Sequence, residues 1–174
     1  MKVQSEESDK IRNHIVGFTE QIDNNAKIDK DVFFNWFNQT GNIDCTFVRG
    51  AWDFAIHIAN PISPYLKKPE EKTVLDLGYG GGRMLGGACQ FFSKVIGVDI
   101  HSQNELVQKE LNARGLNNFH LLQNDGRSIP VETDSVDMVY SFIVFQHIEK
   151  IEIFKNYLNE IFRILRPSGL GCIY

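Results

Sequence analysis

Apolar residues follow two rhythms along this chain. In the first seventy or so residues they recur at helical spacing. Ile11, Ile15, Phe18 and Ile22 predict an amphipathic first helix after a polar start. Asp31 is suited to cap a second helix through VFFNWFNQT that Gly41 stops, with Phe33, Phe34, Trp36 and Phe37 as an aromatic face. A third helix is expected from about Thr46 to Ala59, broken by Pro61 and Pro64, with NPISPYLKKPEEK as a connector.

From Thr73 short β-branched or apolar runs alternate with longer helical ones. TVLDLG, KVIGVDI, NFHLLQND, SVDMVYSF and LGCIY read as strands, and GRMLGGACQFF, SQNELVQKELNARG and EKIEIFKNYLNEIFRILRP as helices. Such alternation predicts βαβ units, a parallel sheet and right-handed crossovers. The expected division is a helical extension or lid over residues 1–72 and a Rossmann-like α/β unit over 73–174.

Composition narrows the partners. The chain has 174 residues, 43% apolar and 23% charged, which fits a globular fold and excludes wholesale disorder. Each of the spans 1–72 and 73–174 carries 9 basic and 11 acidic residues, so neither is a basic arm and no nucleic-acid partner is expected. Cys45, Cys89 and Cys172 are far apart and form no metal-binding cluster, so a reducing, cytoplasmic setting without a metal is expected. No signal core or apolar span predicts a membrane association.

Three groups at strand ends carry the candidate chemistry. Asp76-Leu77-Gly78-Tyr79-Gly80-Gly81-Gly82 runs from a strand through a glycine turn into a helix, where missing Cβ atoms let a ligand approach the backbone. Asp99 ends the second strand, 21 residues after Gly78, at the spacing of a carboxylate that accepts from a ribose diol. Asp125, beside Gly126, ends the third strand and can accept from an exocyclic amine. Singly each has a plainer alternative: a ligand-free turn, a helix cap that Ser102 also offers, and a turn aspartate. Together they point to an adenosine. Arg83 stands where a dinucleotide fingerprint wants its third glycine, which disfavours a nicotinamide dehydrogenase.

The segment from Thr73 to Tyr174 resembles the class I S-adenosylmethionine-dependent methyltransferases of the small-molecule branch. VLDLGYGGGRM resembles their first motif, VIGVDIHSQNEL the acidic second strand, and NDGRSIPVETDSVDMVYSFIVFQHI the adenine loop and fourth strand. The resemblance implies a 3-2-1-4-5 sheet and S-adenosylmethionine as donor, with S-adenosylhomocysteine as product. It implies that Asp76, Gly78, Gly80 and Gly82 line the methionine portion. It places Asp99 on the ribose, Ile100 against the adenine, and Asp125 and Gly126 at its amine. Tyr79 and Gly81 depart from the commoner residues of the first motif.

Methyl transfer to a small-molecule oxygen, nitrogen or carbon is the expected activity, and a cofactor-binding module acting through a partner is the alternative. Tyr140, Ser141 and His147 follow the fourth strand where the family presents acceptor-side groups, and Tyr140 and His147 are the catalytic candidates. His147 is also read as a packing residue at the start of the next helix, and His14, His57, His101 and His120 as surface or packing residues. The aromatic set Phe33, Phe34, Trp36, Phe37 and Trp52 is read first as core and second as a lid. The last two strands of the family sheet are missing from this sequence. An exposed apolar edge is therefore expected at Leu170–Tyr174, completed by a homodimer or by the rest of a longer parent.

Overall fold

The computed structural model describes residues 18–37, 41–148 and 150–174; Ile11 and Ile15 of the first predicted helix lie outside them. The first helix, α1, covers 18–28 of the described chain. Helix α2 spans Lys30–Trp36 and is capped by Asp29 instead of Asp31: the Asp29 carboxylate accepts from the Asp31 N–H at 2.6 Å. Helix α3 covers Ile43–Asp53, with Asn42 as its cap. The chain then passes through a π-helical turn, Phe54–Ala59, into the short α4, Asn60–Ile62.

Pro61 therefore does not end this helix where the pattern predicts. The wider turn explains how the ring is accommodated. The Asn60 N–H bonds back to the Ala55 carbonyl, five residues earlier, which shifts the ladder before the proline enters it. The His57 carbonyl, which Pro61 has no N–H to meet, faces the Cys172 thiol at 4.0 Å.

The α/β part follows in the expected alternation: β1 Thr73–Leu77, α5 Arg83–Ala88, β2 Lys94–Asp99, α6 Asn104–Ala113, β3 Phe119–Gln123, β4 Val136–Ser141, α7 Ile151–Ile164 and β5 Leu165–Ile173. All five strands are parallel and lie in the order β3-β2-β1-β4-β5. The continuous apolar runs of β1, β2 and β4 are buried, as strands covered on both faces must be. Helix α7 stops at Ile164, short of Pro167, and β5 begins at Leu165 instead of Leu170. The stretch from Leu165 to Leu170 faces only Val136 to Met138 on β4, so the segment containing Pro167 is a bulge in the strand.

The helices before β1 share a core with the sheet. Phe33, Phe34, Phe47, Phe54 and Ile58 pack in one cluster with Val74, Tyr79, Leu85 and Tyr140. Glycines let α3 and α5 meet backbone to backbone. A Cβ on Gly50 would lie 2.3 Å from the Arg83 carbonyl oxygen, and one on Gly87 would lie 3.1 Å from the Ala51 Cα. The aromatic set divides accordingly: Phe33 and Phe34 are fully buried, whereas Trp52 is 65% exposed and belongs to no core.

Candidate active site

Strand register assembles the site. Asp76 on β1 lies directly across from Gly97 on β2 and Tyr140 on β4. Past β1 the chain turns through Gly78, Gly80 and Gly82, whose φ values of +85°, +54° and +77° suit glycine. The Gly78 N–H donates to the Val98 carbonyl at 2.7 Å, which pins the turn to the end of β2. The Gly80 N–H donates to Asp99 Oδ2 at 2.7 Å, and the Ile100 N–H donates to Asp99 Oδ1 at 2.7 Å.

His101 completes this anchor. It is fully buried, its Nδ1 accepts from the Gln103 N–H at 3.1 Å, and its Nε2 lies 3.0 Å from the Gly80 carbonyl oxygen. Nδ1 being an acceptor, the proton sits on Nε2 and is donated to Gly80. Nothing in the spacing of His101 distinguishes it in the sequence; only the fold brings it to the loop.

A cavity of about 620 Å³ opens above this loop. Asp76, Gly78, Tyr79, Gly80, Gly81, Asp99 and Ile100 form its floor, and Asn124, Ile153 and Tyr157 line it together with Val98. Phe18, Ile22, Trp36 and Phe37 from α1 and α2, with Phe142, Ile143 and His147, form the remaining walls. Phe37 lies on the glycine loop so closely that a Cβ on Gly80 would fall 2.7 Å from its ring. Ile143 holds φ +60° at this wall, an unusual conformation for a β-branched residue, while its N–H donates to the Tyr174 carbonyl.

Asp76 is a carboxyl in an apolar setting. Burial pushes its pKa up to about 7 against the pull of the Tyr140 hydroxyl, which donates to Oδ2 at 2.7 Å. Tyr140 is thereby corrected as an acceptor-facing residue. It is fully buried, does not line the cavity, and reaches it only through Asp76. Ser141, also fully buried, donates to the Leu77 carbonyl at 2.7 Å. His147 does face the cavity, beside the Phe18 ring at 5.2 Å between centroids.

Three expected cofactor contacts are placed elsewhere. Gly82 caps α5 beneath the loop, where a Cβ would lie 2.8 Å from Val107 Cγ1; its role is close packing. Asp125 is exposed and does not line the cavity. Its Oδ1 accepts from the N–H groups of Arg127 and Ser128 and from the Ser128 hydroxyl, which closes its own loop. Gly126 takes φ +77° in that turn and also lies off the cavity. Arg83, noticed in the sequence only for not being glycine, lines the cavity with its guanidinium paired to Asp53 and 5.7 Å from the Phe142 ring centroid.

A parallel sheet in this order, with a glycine turn after β1 and a carboxylate closing β2, defines a Rossmann-like nucleoside-binding fold. The methyltransferase-domain family matches residues 75–173, more than half of the chain, and the chain belongs to that family. Malonyl-(acyl-carrier protein) O-methyltransferase of Methylococcus capsulatus is 28% identical over 103 residues, covering 58% of this chain and 36% of that protein. A tRNA (carboxymethyluridine(34)-5-O)-methyltransferase of Mus musculus is 33% identical over 107 residues, covering 61% of this chain and 15% of that protein. The chain thus spans well under half the length of these curated relatives.

Among solved structures, phosphoethanolamine N-methyltransferase 1 of Haemonchus contortus superposes with a TM-score of 0.67 at 20% identity, over 94% of this chain and 32% of that one. A methyltransferase from Aquifex aeolicus gives 0.55 at 23% identity, over 66% and 62%. At these identities the likeness is one of fold, and in the Haemonchus contortus protein, over 94% of this chain, it takes in the helices before β1.

The residues present fit S-adenosylmethionine, the donor of this class. The cradle at Gly78 and Gly80 has no room for side chains, Asp99 retains lone pairs toward the cavity for a diol, and Ile100 offers an apolar surface to a base.

Proposed function

We propose that this chain is the donor-binding domain of a methyltransferase that moves a methyl group from S-adenosylmethionine to a small-molecule acceptor, an oxygen nucleophile first among the candidates. The observation that carries this is the cavity itself: it is lined by the glycine loop and Asp99 and also by Phe18, Trp36 and His147, which leaves room for an acceptor beside the donor. The oxygen reading draws on the two curated relatives named above both being O-methyltransferases. A small acceptor fits the apolar Phe18, Trp36 and Phe142 of the cavity wall and a formal charge of -4, although the two relatives are named for an acyl-carrier protein and a tRNA.

Bound S-adenosylmethionine supplies a methyl group on a sulfonium; the protein's part is to align acceptor and donor and exclude water. Gly78 and Gly80 hold the methionine portion close to the backbone, and Asp99 accepts from the ribose. Asp76 and Arg83 present opposite charges to the amino-acid end. His147 stands at the acceptor wall, where a neutral imidazole takes the proton of a hydroxyl acceptor as it attacks. Helices α1 and α2 act as the wall that closes over both substrates.

Titration calorimetry with S-adenosylmethionine, S-adenosylhomocysteine and NAD tests the donor. Binding of the two adenosyl ligands and not NAD is expected, and the reverse would overturn the reading. A metabolite screen with methyl-labelled donor then tests turnover. Tight binding with no transfer to any acceptor would favour the module that acts through a partner.

A further inference from the structure

We infer that the Tyr157 hydroxyl donates a hydrogen bond to an acceptor atom of the bound nucleoside, making α7 part of donor recognition. The inference rests on the donor assignment above. Tyr157 is 6% exposed and lines the cavity, though it sits within the apolar series Ile153, Tyr157, Ile161 and Ile164 that packs α7 on the sheet. A phenylalanine would serve that packing alone. The hydroxyl is oriented by Asn124, whose Nδ2 donates to it at 3.1 Å and also to the Ser128 carbonyl at 3.1 Å.

Because the Tyr157 oxygen accepts a hydrogen bond from the Asn124 amide, its own O–H points elsewhere, and among the described residues it meets no acceptor. A buried hydroxyl without a target for its proton is costly, and a ligand in the cavity supplies one. Burial, eased only partly by the Asn124 bond, raises the phenol to about 12, so it remains a donor at neutral pH. The Asn124 N–H donates to the Asp99 carbonyl at 2.8 Å, so the residue that holds the Tyr157 hydroxyl is itself fixed to the end of β2, which puts Tyr157 near the Asp99 side of the cavity. Asp99, when ionised, can only accept there. Tyr157 supplies the complementary donor, for a ring nitrogen or the ribose 2′-oxygen.

The test measures S-adenosylhomocysteine affinity of wild type and Tyr157→Phe by calorimetry. The ligand set adds the 1-deaza, 3-deaza, 7-deaza and 2′-deoxy analogues. The substitution keeps the aromatic ring, so an unchanged melting temperature is expected without ligand. Affinity for the parent ligand should fall roughly five- to tenfold, as for one neutral hydrogen bond. One analogue, the one lacking the accepted atom, should bind both proteins equally. Unchanged affinity in Tyr157→Phe, or an equal fall for every analogue, would overturn the inference. Asn124→Asp gives an independent arm: a carboxylate there accepts the hydrogen bond of the tyrosine O–H, turns it away from the ligand and should reproduce the loss. Absence of binding to wild type would instead remove the donor assignment, so the two failures are separable.

Discussion

The Gly80 N–H and the Asp99 carboxylate are joined at 2.7 Å, so the acid at the end of β2 shapes the glycine loop as well as facing the cavity. Asp99→Ala should therefore weaken S-adenosylhomocysteine by roughly 1–3 kcal/mol and also lower the melting temperature without ligand. Asp99→Asn keeps one acceptor but turns an N–H₂ toward either the Gly80 or the Ile100 donor, and should lie between. An Asp99→Ala protein with wild-type affinity would sink the ribose assignment.

Gly78→Ala probes the cradle directly. Its φ of +85° disfavours any Cβ, and the new methyl would meet Val144 Cγ2 at 2.3 Å. A loss of about 1–3 kcal/mol in stability is expected from the backbone alone. Because Val144 lines the same cavity, displacing it should weaken ligand binding as well. Urea unfolding with and without S-adenosylhomocysteine separates the two effects, and a variant as stable as wild type would show that the loop is adaptable.

The strand–helix alternation, the glycine turn and Asp99 were legible in the sequence because strand ends and φ-positive turns leave local signatures, whereas the sheet order followed from the family resemblance. Asp29, in place of Asp31, caps α2 because two acidic residues two positions apart offer the same chemistry, and only backbone geometry chooses between them. Pro61 misled because a π-turn is a backbone event with no residue signature. Tyr140, Asn124, His101 and Tyr157 owe their roles to partners far away in the chain. Tyr140 meets Asp76 across 64 residues and Tyr157 meets Asn124 across 33, and no local pattern encodes such pairs.

Asp76 makes stability depend on pH in an uncommon direction for a carboxylate. Its pKa is raised by burial from the ordinary 3.8 to about 7, so the folded state holds the proton more tightly than the unfolded chain. The stabilising contribution is complete below about pH 4, the unfolded value, and is lost as pH rises through about 7, by on the order of 4 kcal/mol. Asp76→Asn should flatten this part of a melting curve series between pH 4 and 8. Tyr140→Phe removes the donor that favours the ionised form and should move the loss to higher pH. A cationic donor favours ionised Asp76, so its binding should strengthen as pH rises toward 7 and release protons. Identical calorimetric heats in buffers of different ionisation enthalpy would count against that coupling.

Glu110 links the wall helices to the α/β unit, and this link should be felt in the cavity. Its carboxylate, 8% exposed, pairs with Lys30 of α2 at 2.8 Å and with Arg114 at 2.7 Å, while the Arg114 guanidinium lies 4.0 Å from the Phe47 ring centroid. Burial opposes ionisation, but the hydrogen bonds from Lys30 and Arg114 outweigh it and hold the carboxyl below its usual range. A depressed acid stabilises above its unfolded value and loses that contribution as pH falls through the folded one, so this link weakens only in acid. Glu110→Ala leaves Arg114 partly buried beside Phe47 with only the exposed Asp44 carboxylate, 2.8 Å away, as a partner. About 1–3 kcal/mol should be lost, less than for a fully buried pair because Lys30 is half exposed. The same change releases α2, which carries Trp36 and the neighbouring Phe37 over the glycine loop. Amide exchange should accelerate in α2 and leave β1 protected, and S-adenosylhomocysteine should dissociate faster from the variant. Exchange rates in α2 equal to wild type would show that the Phe33 and Phe34 core alone holds the wall in place.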